Sequence, residues 1–155
     1  MHILPTMNKA HLTALPRKKL SAPMKWMDAE GFFDGVPRHD CLDYGCGKGF
    51  DADALGFQKY DPFYFKCDDF SVGEFDIITC NFVLNVIPDA SERQYVLDTI
   101  ARWLAPCGNA FISIRSDKKD LKGITKRGTY QGYHPPMLPL LHKGSGFEIY
   151  HLKNV

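Results

Sequence analysis

The residues best suited to chemistry in this sequence are a group of glycines with two acidic residues. The stretch LDYGCGKGFDADALGFQKYDPFY places Gly45, Gly47 and Gly49 directly behind Asp43 and carries Asp61 near its end. Glycines allow a backbone turn to approach a ligand closely. Carboxylates accept hydrogen bonds from hydroxyl and ammonium groups. A glycine-rich turn between a strand and a helix can also serve packing alone, but an acid after the next strand favours a nucleotide-type site.

The glycine spacing discriminates between classes of nucleotide site. Dinucleotide-binding folds use GxGxxG, whereas Gly49 arrives one position too early for that pattern. A carboxylate at Asp43 would also repel a pyrophosphate group. Lys48 is followed by glycine and not by a serine or threonine, so the phosphate-loop pattern is absent. An NAD-dependent oxidoreductase is therefore the least favoured of the functions considered.

S-adenosylmethionine is the ligand whose groups match this arrangement. Its ammonium group suits Asp43, and its two ribose hydroxyls suit a bidentate acceptor such as Asp61. Pro62 and Phe63 follow Asp61 and would provide an apolar wall for the adenine ring. We therefore expect this stretch to bind S-adenosylmethionine.

The surrounding pattern predicts the elements that position these residues. Strands and helices alternate along the chain, which predicts an α/β fold with a doubly wound, mostly parallel sheet in a single domain spanning residues 1–155. Residues 1–27 are basic and broken by prolines, and they are predicted to form an N-terminal arm. The predicted strands are CLDYG, QKYDP, FDIITCNFVLNVI, NAFISIR and FEIYHL, and the predicted helices are FDADALGF and SERQYVLDTIARWL.

The motif D-x-G-x-G-x-G behind a strand, with an acid ending the next strand, resembles the class I (Rossmann-like) S-adenosylmethionine-dependent methyltransferases. More narrowly, LDYGCGKG, YDPFY, NFVLNVIPDASER, ISIR and GTYQ together resemble a bacterial family of methyltransferase-like proteins associated with DNA phosphorothioation. The resemblance implies S-adenosyl-L-methionine as cofactor. The implied cofactor-binding residues are Asp43, Tyr44, Gly45, Cys46, Gly47, Gly49, Asp61, Pro62, Phe63, Asn81 and Phe82.

The chain departs from that family pattern at the third strand. The short interval between Asp61 and Phe75 leaves room only for an abbreviated third strand, which we place at FKCDDF. Asp68 or Asp69 would then hold the adenine amino group, or would be a solvated turn residue.

No catalytic base is identified from the sequence, because methyl transfer from a sulfonium depends largely on positioning and on a dry pocket. Arg115, Tyr130 and His134 follow predicted strands and are candidates for contacts with the methyl acceptor. Asn85 and Asp89 are predicted to cap a helix.

Composition limits the partners of the protein. The net charge is +1, so a nucleic-acid acceptor would need a local basic surface, for which the candidates are residues 17–19 with Lys25 and the lysine-rich stretch 118–127. Five cysteines without metal-ligand spacing predict no metal site and a reduced, cytoplasmic protein, and no apolar run is long enough to span a membrane. The acceptor is a nucleic acid or a small molecule, with a protein partner for target recognition in the first case. The alternative is a non-catalytic S-adenosylmethionine-binding subunit that regulates or scaffolds a modification system.

Overall fold

The computed structural model describes residues 10–67, 69–120, 123–126 and 128–155. Its α-helices are α1 (Ala22–Ala29), α2 (Phe50–Leu55) and α3 (Ala90–Trp103). Short 3-10 turns lie at His11–Thr13, Arg38–Asp40 and Leu84–Val86. The strands are β1 (Cys41–Tyr44), β2 (Gln58–Tyr60), β3 (Phe75–Asn81), β4 (Leu104–Arg115), β5 (Gly123–Ile124), β6 (Tyr130–Gln131), β7 (Leu140–Lys143) and β8 (Phe147–Lys153).

The central sheet has six strands in the order β2-β1-β3-β4-β8-β7. β1 pairs in parallel with β2 and β3, and β3 pairs in parallel with β4. β8 is antiparallel to both β4 and β7. The predicted α/β fold with a mostly parallel sheet is therefore confirmed. Parallel strands need a crossover segment, and α2 and α3 supply it between β1 and β2 and between β3 and β4.

Apolar side chains fill the space on both faces of the sheet. Ile100 and Trp103 of α3 pack in one cluster with β3 and β4. Met24 and Met27 of α1 belong to the second cluster, together with Phe111 of β4. Burying a side chain of this size contributes about 1.5–3 kcal/mol to folding. The sheet is therefore wound on both sides, as its sequence pattern predicts.

The predicted third strand is reduced to a single bridge. The backbones of Asp61 and Phe65 pair in antiparallel fashion, and the described residues that follow Phe65 form no strand before β3 begins at Phe75. β2 is consequently an edge strand, and the turn from Asp61 to Phe65 directly follows it in the chain.

The two predicted helix caps have different outcomes. Asp89 caps α3 and accepts a hydrogen bond from the Ser91 backbone N–H at 3.2 Å, as predicted. The prediction for Asn85 is wrong, because its side-chain Nδ2 donates instead to Gln131 Oε1 at 3.0 Å. Asn85 therefore links the turn Leu84–Val86 to β6, which lies far along the chain.

Two features of the second half were not predicted as strands. β5 and β6 form a small antiparallel hairpin within a stretch predicted as loop, and β7 adds an edge to the main sheet. In the part of the chain that the structure describes, no helix combines the length and the apolar character needed to cross a membrane.

Candidate functional site

A cleft lies at the carboxyl ends of β1, β2 and β3, where ligands bind in folds of this type. The residues predicted to bind the cofactor all line this one cleft. They are Asp43, Tyr44, Gly45, Cys46, Gly47, Gly49, Asp61, Pro62, Phe63, Asn81 and Phe82. The structure thus brings together residues that are spread over some forty positions of the chain.

The glycine turn forms the floor of the cleft and is attached to the end of β2. The N–H groups of Gly45 and Cys46 both donate to the carbonyl oxygen of Tyr60, at 2.7 and 3.0 Å. Gly45 has a φ of +73°, and a Cβ atom there would collide with Val83. A side chain at this position would therefore cost both backbone strain and a displaced neighbour.

Asp61 holds the two turns of the cleft together through backbone N–H groups. Its Oδ2 accepts from Gly47 at 2.9 Å. Its Oδ1 accepts from Phe63 at 2.9 Å and from Tyr64 at 3.0 Å. Each carboxylate oxygen can accept more than one hydrogen bond. Asp61 therefore retains acceptor capacity toward the cleft while it orders the loops beside it.

Asp43 is a buried carboxyl group, only 3% exposed, at the end of β1. Its Oδ1 accepts a hydrogen bond from Thr79 Oγ1 at 2.9 Å. Its pKa is raised to about 8, chiefly by burial and further by the nearby Asp51 and Asp61 carboxylates, whereas the hydrogen bond from Thr79 opposes the shift. A cationic group placed in the cleft would favour the ionised form of Asp43, since an opposite charge lowers a carboxyl pKa.

The end of β3 supplies a polar and an aromatic residue. Asn81 Oδ1 accepts from Ser113 Oγ at 2.8 Å, and Asn81 Nδ2 is buried with no hydrogen-bond partner among the described residues. Phe82 has a φ of +60°, a left-handed conformation that a residue with a side chain seldom adopts. Its N–H donates to the Ser113 carbonyl at 2.9 Å, which holds this strained turn against β4.

The N-terminal segment also lines the cleft, which the sequence did not indicate. His11 stacks on Phe63 with ring centroids 3.8 Å apart and an interplanar angle of 8°. Ala14, Arg17 and Ser21 belong to the lining as well. Prolines interrupt this segment and no periodic pattern runs through it, so its position depends on contacts distant in sequence that periodicity does not encode.

The residues predicted to contact the acceptor do not line the cleft. Arg115 forms two hydrogen bonds with Asp117, at 3.0 and 2.8 Å. The hydroxyl of Tyr130 lies 2.7 Å from His134 Nε2. The Tyr130–Gln131 strand contacts the Leu84–Val86 turn, of which Val86 is part of the cleft wall.

Two further predictions concern acidic residues and metals. Asp69 is exposed and is not part of the cleft lining, and Asp68 lies outside the described residues. Across the described ranges, no cluster of three or more His, Cys, Asp or Glu side chains is arranged to hold a metal ion.

The chain matches a protein-family model and resembles several solved structures. A family model described as "Methyltransferase domain" matches residues 8–137. A comparison with curated proteins gives no match. Among solved structures, the chain resembles the PH0226 protein from Pyrococcus horikoshii OT3 with a TM-score of 0.61 and 12% identity, over 90% of this chain and 92% of that one.

Two other similar structures belong to bacterial methyltransferases. The N-methyltransferase NodS from Bradyrhizobium japonicum WM9, solved in complex with S-adenosyl-L-homocysteine, has a TM-score of 0.56 and 12% identity over 96% of this chain and 98% of that one. The S-adenosylmethionine-dependent methyltransferase from Mesorhizobium loti has a TM-score of 0.56 and 10% identity over 84% and 98%. Identities this low establish a shared fold.

Proposed function

Because this chain belongs to the methyltransferase domain family and is an S-adenosylmethionine-dependent enzyme with the class I fold, we propose that the cleft above β1, β2 and β3 is its donor site. Asp43 meets the ammonium group of the donor, and Asp61 accepts hydrogen bonds from the ribose hydroxyls. Pro62 and Phe63 lie against the adenine ring. The observation that carries this assignment is that both acids and the glycine turn line one cleft.

The residues of the cleft fit the chemistry of S-adenosylmethionine. The methionine part of the donor carries two positive charges, on its ammonium and sulfonium groups. The buried carboxyl group of Asp43, directly before the glycine turn, is suited to the ammonium. The space that a Cβ atom at Gly45 or Gly49 would fill is already taken by Val83 and by Lys59. Both positions therefore exclude a side chain, which keeps the turn narrow, and the unpartnered Nδ2 of Asn81 adds a hydrogen-bond donor to the same lining.

The protein contributes mainly position and exclusion of water to the reaction. When bound, S-adenosylmethionine supplies an electrophilic methyl group that an acceptor attacks in line, releasing a neutral thioether. Val83 and Val86 are buried beside the cleft and form an apolar wall, and Phe82 lies next to them in the chain. This wall keeps water from the reacting region, and the two acids fix the orientation of the donor.

For the acceptor, we propose a molecule that carries phosphate, with nucleic acid as the leading class. Lys48 lies on the cleft lining and is exposed, and exposed Lys18 and Lys19 directly follow Arg17, which also lines the cleft. Lysines grouped near a site favour association with a phosphate backbone. The similarity to methyltransferase-like proteins associated with DNA phosphorothioation supports DNA, with a protein partner for target recognition.

We also propose a cytoplasmic location. All five cysteines are free thiols. Free thiols persist where glutathione and thioredoxin keep the environment reducing.

The donor-site assignment is tested by titration calorimetry with S-adenosyl-L-homocysteine. We expect Asp61→Ala to weaken binding by about 10- to 100-fold, since hydrogen bonds to a charged group contribute about 1.5–3 kcal/mol. Asp69→Ala, which removes an exposed acid outside the cleft, is the control and should bind like the wild type. Equal affinities for all three proteins would refute the assignment.

The acceptor is tested by transfer of a tritiated methyl group to separate pools of DNA, RNA and small metabolites. Label in the DNA or RNA pool that declines steeply with added salt supports the proposed class. Label confined to the metabolite pool refutes it. Donor binding with no transfer to any pool, even with cell extract added to supply a partner, would favour the regulatory or scaffold alternative.

A further inference from the structure

The N-terminal segment lies across the cleft and is fastened at both of its ends. At one end His11 stacks on Phe63, and the Tyr64 hydroxyl donates to the His11 carbonyl at 3.4 Å. At the other end Asp51 accepts hydrogen bonds from both the N–H and the hydroxyl of Ser21, at 2.9 and 2.6 Å. The chain between these points, residues 11–21, therefore forms a roof whose position is fixed by the domain beneath it.

The roof passes over the glycine turn at its middle. A Cβ atom at Gly47 would lie 3.2 Å from the Cβ of Ala14, so the backbones of turn and roof are close neighbours. From Ala14 the roof continues toward Ser21 and Asp51, and the Asp51 charge acts on Asp43. This half of the roof therefore runs along the side of the cleft that carries Asp51, away from Phe63.

Arg17 lies in that half of the roof and lines the cleft. Three carboxyl groups, those of Asp43, Asp51 and Asp61, line the same cleft, yet no hydrogen bond or ion pair joins the Arg17 side chain to any described residue. A guanidinium group is never deprotonated and presents a planar fork of N–H donors that matches a carboxylate. Its free donors are thus available to an anionic group of a ligand.

We propose that Arg17 binds the α-carboxylate of the methyl donor. This inference rests on the donor-site assignment above, in which the amino-acid end of the donor lies at Asp43. The carboxylate is the only anionic group of S-adenosylmethionine, and it sits one carbon atom from the ammonium that Asp43 meets. Arg17 of the roof then binds the carboxylate of the amino-acid end, and Asp43 at the end of β1 binds its ammonium group.

The test compares how Arg17 variants bind two ligands that differ in the amino-acid end. S-adenosyl-L-homocysteine carries the amino-acid end, whereas 5′-methylthioadenosine lacks it and keeps the adenosine. By calorimetry, Arg17→Ala should weaken binding of the first ligand by about 10- to 100-fold and leave binding of the second within about twofold. Arg17→Lys should recover part of the loss, since lysine restores the charge without the planar fork. Arg102→Ala, which removes an exposed arginine of α3 outside the cleft, is the matched control.

Two results would overturn the role of Arg17. One is unchanged affinity of Arg17→Ala for S-adenosyl-L-homocysteine, and the other is an equal loss for both ligands, which would indicate a displaced roof. A wild-type protein that binds neither ligand would instead refute the donor site itself. Thermal unfolding of Arg17→Ala should match that of the wild type, because the side chain has no partner in the described fold.

Discussion

The raised pKa of Asp43 makes donor binding dependent on pH in a specific direction. The group is uncharged in the free protein below about pH 8, because burial and the Asp51 carboxylate disfavour its ionised form. Pairing with the donor's ammonium group requires the carboxylate. Binding therefore releases a proton, and affinity should rise as pH increases toward 8.

The magnitude follows from the pKa. At pH 6 the ionised fraction of a group with a pKa of about 8 is roughly one in a hundred. Half of the group is ionised at pH 8, so the dissociation constant for S-adenosyl-L-homocysteine should fall by about 50-fold between pH 6 and pH 8, with the slope flattening near the pKa. The total gain is about 2.3 kcal/mol, since each tenfold change in affinity corresponds to about 1.36 kcal/mol. Binding of 5′-methylthioadenosine, which has no ammonium group, should stay nearly constant across the same range.

The assay is titration calorimetry at several pH values in buffers of different ionisation enthalpy, which also counts the released proton. Asp43→Asn should bind S-adenosyl-L-homocysteine weakly and with no slope between pH 6 and pH 8. Asp69→Asn, a change at an exposed acid, should keep the wild-type slope. A flat profile for the wild type, or a slope that survives in Asp43→Asn, would refute the pairing of Asp43 with the ammonium group.

The same carboxyl group links folding to pH. Its folded-state pKa lies above its ordinary value of 3.8, so its contribution to stability is complete below that value and is lost as pH rises through about 8. The free energy of unfolding of the unliganded protein, measured by urea denaturation, should therefore decrease between about pH 4 and pH 8. In Asp43→Asn, which cannot ionise at this position, the decrease should be smaller.

Three further predictions concern stability and the glycine turn. Gly45→Ala should cost about 1–3 kcal/mol more than Gly35→Ala in urea denaturation, because both positions have a left-handed φ but only Gly45 has a neighbour, Val83, in the way; equal costs would contradict the collision. Ile100→Ala should lose about 2–5 kcal/mol, whereas Ile124→Ala, at an exposed site, should lose less than about 0.5 kcal/mol. Asp61→Asn should also lower the melting temperature, since Asp61 accepts from three backbone N–H groups, and an unchanged melting temperature would contradict its bracing role.

Local patterns were sufficient to predict the central part of the fold. A strand, a glycine turn, a helix and a second strand follow one another between Cys41 and Tyr60, and each is recognisable from its own residues. The helix predicted at 91–104 is observed as α3, within one residue at each end. The methyl donor and the class of enzyme, inferred from the same motif, agree with the family match.

Features that depend on distant contacts were not predictable in this way. The pairing of Asn85 with Gln131 spans 46 positions, and the attachment of Ser21 to Asp51 spans 30. Neither pair has a periodic or spacing signal. The role of residues 11–21 as a roof over the cleft was missed for this reason. β7 was missed because its exposed Leu140 and Leu141 lack the alternation of a half-buried strand.

Asp61 has a consequence for engineering the enzyme toward altered donors. Its carboxylate accepts hydrogen bonds from the backbone of both loops beside the cleft, so the proposed recognition of the sugar and the order of these loops cannot be separated by changing this residue. The proposed purine end is different, because the sheet stops at β2 and only a short turn follows that strand before the described residues lose regular structure. Donors enlarged on the purine ring, paired with smaller side chains at Phe63 or His11, are therefore the rational starting point for an orthogonal enzyme–donor pair.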